Sequence, residues 1–169
     1  MTEKYYGLYR GTVANNIDPM QLGRVMALVP DVGGATPLGW ATPCVPLAGQ
    51  QMGTFMVPQI GAGVWVQFEG GDPDRPVWTG GWWGSAAEVP ALALAGVPGD
   101  PPIVLQSRLQ NAVVISDLLG PAGGIMLKSA TGATIIVNDT GITIENGKGA
   151  SLTMVGPAVT INNGALVVV

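Results

Sequence analysis

The sequence predicts an all-β protein in two parts, a small aromatic-rich barrel followed by a stem of short aliphatic strands. Three observations lead there. With 26 Gly and 14 Pro in 169 residues, the chain is punctuated too often for long helices. Every Trp, Tyr and Phe lies at or before Trp83, so composition changes there. Beyond that point aliphatic triplets recur between turn residues, alternating in the manner of strands.

The first part reads as five strands: Tyr5 to Val13, Gly23 to Val29, Trp40 to Pro46, Gly63 to Phe68 and Pro76 to Gly81, each bounded by Gly, Pro, Asn or Asp. In "VWVQF", Val64, Val66 and Phe68 fall on one face and Trp65 and Gln67 on the other. Five short strands in a segment of this size suit an OB-type barrel, residues 1–83. The tryptophans then serve as core and rim packing, with a carbohydrate- or base-stacking platform as the alternative.

Residues 84–102, "GSAAEVPALALAGVPGDPP", read as an extended linker because prolines and small side chains favour open backbone. The "PALALAG" within it has room for a short helix between Pro90 and Pro98.

From residue 103 to 169 the chain reads as a stem. Its repeated units are "IIV", "ITI", "LTM", "VTI" and "LVV", starting at Ile135, Ile142, Leu152, Val159 and Leu166. Pleating puts Ile135 and Val137, Ile142 and Ile144, Leu152 and Met154, Val159 and Ile161, and Leu166 and Val168 on an apolar face. Thr143, Thr153 and Thr160 fall opposite. The spacings of 7, 10, 7 and 7 residues would invert that face in a straight strand, so the chain must bend in each gap. A solenoid, or strands winding about a shared axis, is the expected result. Such short strands have unpaired edges and no aromatic residue to thicken a core, so one copy alone is poorly protected. Three copies about a threefold axis would pair those edges with their neighbours and bury each Ile or Val, worth about 1.5–3 kcal/mol apiece. A single-chain solenoid is the competing arrangement.

Composition narrows the chemistry. Seven Lys and Arg against eleven Asp and Glu leave a net charge of -4, with no basic surface to follow phosphates, so no nucleic-acid partner is expected. The chain has no His and a single Cys44, which argues against metal sites, cofactor binding and disulfides. The N-terminus lacks the pattern of a secretion signal, so synthesis in a reducing cytoplasm is expected. Apolar runs stop short of the roughly 18 residues a spanning helix needs. The acidic group Glu69, Asp72 and Asp74 in "FEGGDPDRP" is the one candidate for paired-carboxylate catalysis, but its glycines and proline spell a turn in which Asp72 or Asp74 caps backbone or pairs with Arg75. "NNIDP" at 15–19 reads as an Asx-type turn, and "GPAGG" at 120–124 lacks the lysine of a phosphate loop. No enzymatic activity is expected.

Two stretches carry more than a class. "YRGTVANNIDPMQLGRVMALVPD" and "VPQIGAGVWVQFEGGDPDRPVWTGGWWG" together resemble the baseplate assembly protein V family, the OB-fold spike proteins of contractile phage tails, related to the valine-glycine repeat protein G spikes of type VI secretion and to extracellular injection particles. The resemblance covers roughly residues 7–84. The later "NAVVISDLLGPAGGIMLKSATGATIIVNDTGITIENG" is similar to that family's stem, in which three chains intertwine into a β-helix or β-prism.

Residue by residue, Asp18, Pro19, Gly23 and Arg24 match the family's "DP…GR" turn and second strand. Gly61, Gly71, Asp72, Pro73, Arg75 and Pro76 match its "IG…GDPxxP" hairpin. The resemblance implies a homotrimeric central spike that is assembled into a tail baseplate or injection particle and pierces the target envelope when the sheath contracts. It departs from larger members in having neither a hub-like domain before the barrel nor a lysozyme domain before the stem. A separate trimeric baseplate hub protein is therefore the implied partner, and contact with the target envelope is transient. The apolar end at Val167, Val168 and Val169 implies cover by a PAAR-type tip protein. The alternative is a trimeric glycan- or receptor-binding tail protein using Trp82 and Trp83.

Overall fold

A computed structural model describes residues 3–168. The chain divides between Glu88 and Val89 into two compact units.

In the first unit, β1 (Tyr9–Asn15), β2 (Val25–Leu28), β3 (Pro37–Pro43), β4 (Ala48–Gly49), β5 (Met52–Gly53), β6 (Gly63–Phe68) and β7 (Pro76–Trp82) follow in order, with one helical turn, α1 (Pro30–Gly33), after β2. Strands β1, β2, β3, β7 and β6 close into a barrel, while β4 and β5 form a small separate hairpin. All barrel pairs are antiparallel except β3 with β7, whose parallel contact at Thr42–Val77 and Pro43–Trp78 shuts the ring. The ring thus leaves no free edge. On β6 the alternation turns Val64, Val66 and Phe68 inward, where they join Val13, Val25, Val29 and Trp78 in the buried core. Tyr5 and Tyr9 cap that core against Phe68, with ring centroids 6.0 and 5.5 Å away.

Two strands differ from the reading of the sequence. The first begins at Tyr9, not Tyr5, because the Tyr5 amide donates to the Gly71 carbonyl at 2.9 Å, outside the β1 ladders. The third runs from Pro37 to Pro43, not from Trp40 to Pro46. Its early residues Pro37 and Gly39 look like breakers in sequence, but Pro37 pairs opposite Leu28 and Gly39 falls at the register shift that follows.

The second unit opens with one helical turn, α2 (Ala91–Leu94), within the segment read as extended. Eight strands follow: β8 (Ile103–Gln106), β9 (Ala112–Ser116), β10 (Gly124–Lys128), β11 (Thr134–Asn138), β12 (Gly141–Glu145), β13 (Ser151–Val155), β14 (Ala158–Ile161) and β15 (Leu166–Val168). They form one sheet in sequence order, every neighbouring pair antiparallel. The chain therefore reverses in each gap instead of winding onward as a solenoid. Reversal also removes the parity problem, because antiparallel partners match head to tail: Ile135 pairs with Ile144, Ile142 with Met154, Leu152 with Ile161 and Val159 with Val168.

The turns explain the uneven spacing. Between β11 and β12 the Asn138 Oδ1 accepts the Thr140 and Gly141 amides at 3.0 and 3.2 Å, closing a two-residue connection. Between β12 and β13 the loop is longer, and Asn146 Oδ1 accepts the Lys148 and Ala150 amides at 2.8 and 3.0 Å. Strands β9 to β14 have both edges paired within the chain, which leaves the outer edges of β8 and β15 free. No helix among the described residues is long and apolar enough to cross a membrane.

Candidate functional site

The residues singled out in the barrel form two backbone-organising turns. In the first, the Asp18 carboxylate accepts the amides of Met20 and Leu22 at 3.0 and 2.8 Å, and that of Arg24 at 3.2 Å. The same carboxylate takes Arg24 Nε and Nη2 at 3.1 and 2.6 Å, with its side chain only 4% exposed. These donors, Arg24 foremost, hold the Asp18 carboxyl well below the usual carboxylate range and raise the guanidinium's pKa in turn. Pro19 presets the turn after Asp18. The buried Gly23 offers its carbonyl to Trp78 Nε1 at 3.1 Å, and Arg24 lies over the Trp40 ring at 5.4 Å.

The second turn joins β6 to β7. Its ring of amides runs Asp72 N to Glu69 O, Arg75 N to Asp72 O and Glu69 N to Arg75 O, at 3.1, 2.9 and 3.0 Å. Asp72 Oδ1 accepts the Asp74 amide at 3.1 Å. Arg75 pairs with Glu69, not with Asp72 or Asp74. Pro73 sits in the turn and Pro76 is buried opposite Phe68. Gly71 has φ +74° and a Cβ there would meet the Tyr6 ring at 3.0 Å, so both the angle and the space require glycine. At the far end of β6, Gly61 donates its amide to Val13 O at 2.8 Å and has φ +88° in open space. The Asp72 and Glu69 carboxylates of this acidic group therefore serve backbone and Arg75.

The two tryptophans differ. Trp82 is half-buried, donates Nε1 to Val64 O at 3.2 Å and, with Trp65, flanks Arg10, whose guanidinium lies 5.0 and 5.5 Å from the two rings. Trp83 is 64% exposed. A two-ring platform of Trp82 and Trp83 is thus reduced to one free ring.

The stem gathers its predicted residues onto one surface. Register places Ile135, Ile144, Leu152, Ile161 and Leu166 in one row across the sheet, and Val137, Ile142, Met154, Val159 and Val168 in the next. The rows continue through Leu127, Val113 and Leu105, and through Ile125, Ile115 and Ile103. All eight strands place two apolar side chains on this face, and no polar residue interrupts it. The sequence reading began the rows only at Ile135; the same alternation in "IVL", "VVI" and "IML" carries them back to β8. The opposite face holds Val104, Val114, Met126 and Ile136 over the first four strands and Thr143, Thr153 and Thr160 over the next three, with Lys128, Glu145 and Ser151 toward one flank. The aliphatic face is open to solvent in one chain: Ile103, Ile125, Ile135 and Leu166 are all exposed, and Leu105, Val113, Leu127, Ile135 and Ile144 line a trough of about 640 Å³. Of the residues assigned to tip docking, Val168 is exposed in β15, while Val169 lies outside the described residues. Val167 is described only by its pairing with Thr160.

A closed five-stranded barrel joined to a sheet with one bare aliphatic face defines a self-associating β scaffold, since an apolar surface on this scale needs a partner. Residues 9–83 match the type VI secretion system/phage-baseplate injector OB domain, and residues 102–167 match the phage baseplate V C-terminal trimerisation domain. The chain belongs to the phage baseplate V family and is a spike-like structural component of a virion baseplate or related injection apparatus. Its stem is the trimerisation element, so copies of the chain associate with one another. No curated protein matches the chain significantly.

Proposed function

We propose that the protein is the homotrimeric central spike of a contractile injection apparatus and acts mechanically, without catalysis. The observation that carries this is the unbroken double row of aliphatic side chains across eight strands. In the trimer this face turns toward the threefold axis, and the face bearing Thr143, Lys128 and Glu145 turns outward. Each fully buried aliphatic side chain then contributes about 1.5–3 kcal/mol. All strand edges between β8 and β15 are already satisfied within each chain, so the three chains meet through side chains, and the prism resists buckling because opening it exposes both rows at once.

In this reading the barrels attach to a separate trimeric hub protein of the baseplate, and the stem points at the target envelope, which it contacts transiently as the sheath contracts. The chain is made in the bacterial cytoplasm and incorporated there into the particle. Its apolar end, around Val168, docks a PAAR-type tip protein. Light scattering on the full chain and on a chain lacking residues 103–169 tests the core of the proposal. Three copies falling to one on deletion supports it; a monomeric full chain overturns it. Removing residues 165–169 should abolish co-purification of the tip protein, and continued binding would sink the docking assignment.

A further inference from the structure

The hairpin loops of a meander leave its sheet alternately on two flanks. Register puts loops 107–111, 129–133, 146–150 and 162–165 on one flank, and loops 117–123, 139–140 and 156–157 on the other. The charges sort with the flanks. Loops of the first carry Arg108 and Lys148 and no acid, while the strand ends beside them add one base and one acid, Lys128 and Glu145, leaving that flank net positive; loops of the second carry Asp117 and Asp139 and no base. All four loop side chains are exposed, and the salt bridges among the described residues, Arg24–Asp18 and Arg75–Glu69, involve none of them. Each flank also presents a leucine, Leu109 at 66% exposure on the basic side and Leu119 at 86% on the acidic side.

Both leucine loops are built in place. In loop 107–111 the Gln110 amide donates to Ser107 O at 2.9 Å, and Asn111 Oδ1 accepts the Ala130 amide at 3.0 Å, tying the loop to the next one on its flank. In loop 117–123 the Gly120 amide donates to both Asp139 carboxylate oxygens, at 2.9 and 3.1 Å, tying that loop to the next on the acidic flank. Exposed leucines on ordered loops are surfaces prepared for contact, because their ordering cost is met before binding.

Threefold closure requires each chain to offer two different surfaces, one to each neighbour, and a closed ring has no shift along its axis. Loops on opposite flanks are offset by one strand spacing, about 4.8 Å. Each loop of one flank therefore faces a gap between two loops of the other. We infer that the acidic flank of each stem interdigitates with the basic flank of the next copy. Loop 117–123 enters between 107–111 and 129–133, Leu119 packs on Leu109, Asp117 meets Arg108, and Asp139 meets Lys148. This rests on the trimeric reading and adds what the aliphatic face cannot supply. An apolar face attracts any copy in any order, whereas pairing like flanks would set Asp against Asp or Arg108 against Lys148, so the flanks disfavour an antiparallel pair of stems and fix the parallel order around the axis.

The test uses the full chain with Cys44→Ala, into which Leu109→Cys and Leu119→Cys are introduced singly and together. Mild oxidation of the double variant should convert most of the protein to a three-chain band in denaturing gels, since the predicted offset suits the Cα separation of a disulfide. Each single variant should give no such band. A double variant that still has the light-scattering mass of three chains but does not cross-link overturns the flank assignment while leaving the trimer intact. A parent chain of monomeric mass overturns the trimer itself. Should the cysteines prevent assembly, charge exchange decides: Asp117→Arg should lower the dissociation temperature of the trimer, and adding Arg108→Asp should restore it. No restoration refutes the pairing.

Discussion

Asp18 and Arg24 pair through one oxygen, with Nε and Nη2 of the guanidinium 3.1 and 2.6 Å from Asp18 Oδ1, while Asp18 Oδ2 takes the Leu22 and Arg24 amides. One carboxylate thus shapes the whole connection between β1 and β2. Its folded pKa lies below the ordinary value of about 3.9. A depressed folded value means that the stabilisation is complete above the unfolded pKa and is lost as pH falls through the folded one. The wild type should therefore melt well above Asp18→Asn near neutral pH, and the gap should narrow below about pH 4. Paired thermal melts check it; a gap independent of pH would mean that the charge on Asp18 does not matter.

The orientation of the stem sheet is tested by neighbouring residues on opposite faces. Ile144→Glu places a carboxylate in the aliphatic rows, where burial of an unpaired ion costs several kcal/mol. Light scattering should show the trimer reduced to single chains. Thr143→Glu, one residue away and on the other face, should leave the mass unchanged. The reverse result would turn the sheet inside out.

Gly71 and Gly61 both have positive φ, but only Gly71 faces a ring at 3.0 Å. Gly61→Ala should cost about 1–2 kcal/mol, the penalty of the left-handed region alone. Gly71→Ala should cost measurably more, because Tyr6 must also move. Denaturant melts of the two variants rank them, and equal losses would show that Tyr6 yields freely.

Arg10 lies between Trp65 and Trp82 on the outside of the barrel. Arg10→Ala should cost about 0.5–1 kcal/mol and shift tryptophan emission to the red as both rings gain water, while Arg10→Lys should retain part of the loss. Unchanged emission would show that the rings do not depend on the guanidinium.

The barrel was largely legible because its signals are local. Alternation in "VWVQF" names the inward residues of β6, and "DP…GR" and "GDPDRP" are turns whose hydrogen bonds lie within a few residues. What escaped depends on distant partners. The Tyr5–Gly71 bond joins residues far apart in sequence, while Pro37 pairs with Leu28 only a hairpin away and breaker chemistry around it hid the start of β3. In the stem, the apolar positions followed from period-2 alternation, but the path of the chain did not. Spacing between triplets is compatible with winding or reversal, and the choice lies with turns such as Asn138–Gly141, whose Asx bonds close a hairpin. The acidic group was readable as a turn, yet Arg75 chose Glu69 over nearer carboxylates because the hairpin brings the ends of β6 and β7 side by side.

The stem's strands lie across its sheet, so its hydrogen bonds run along the direction in which strands accumulate. Length is consequently counted in whole strands, each adding about 4.8 Å. Inserting a hairpin lengthens the sheet by roughly 10 Å, preserves both aliphatic rows and returns the chain to the flank it left. A single added strand would send everything downstream to the opposite flank. The reach of such a shaft is therefore an integer, adjustable by duplicating about 15 residues at a time, and the same chain geometry that closes its core also makes its span a ruler.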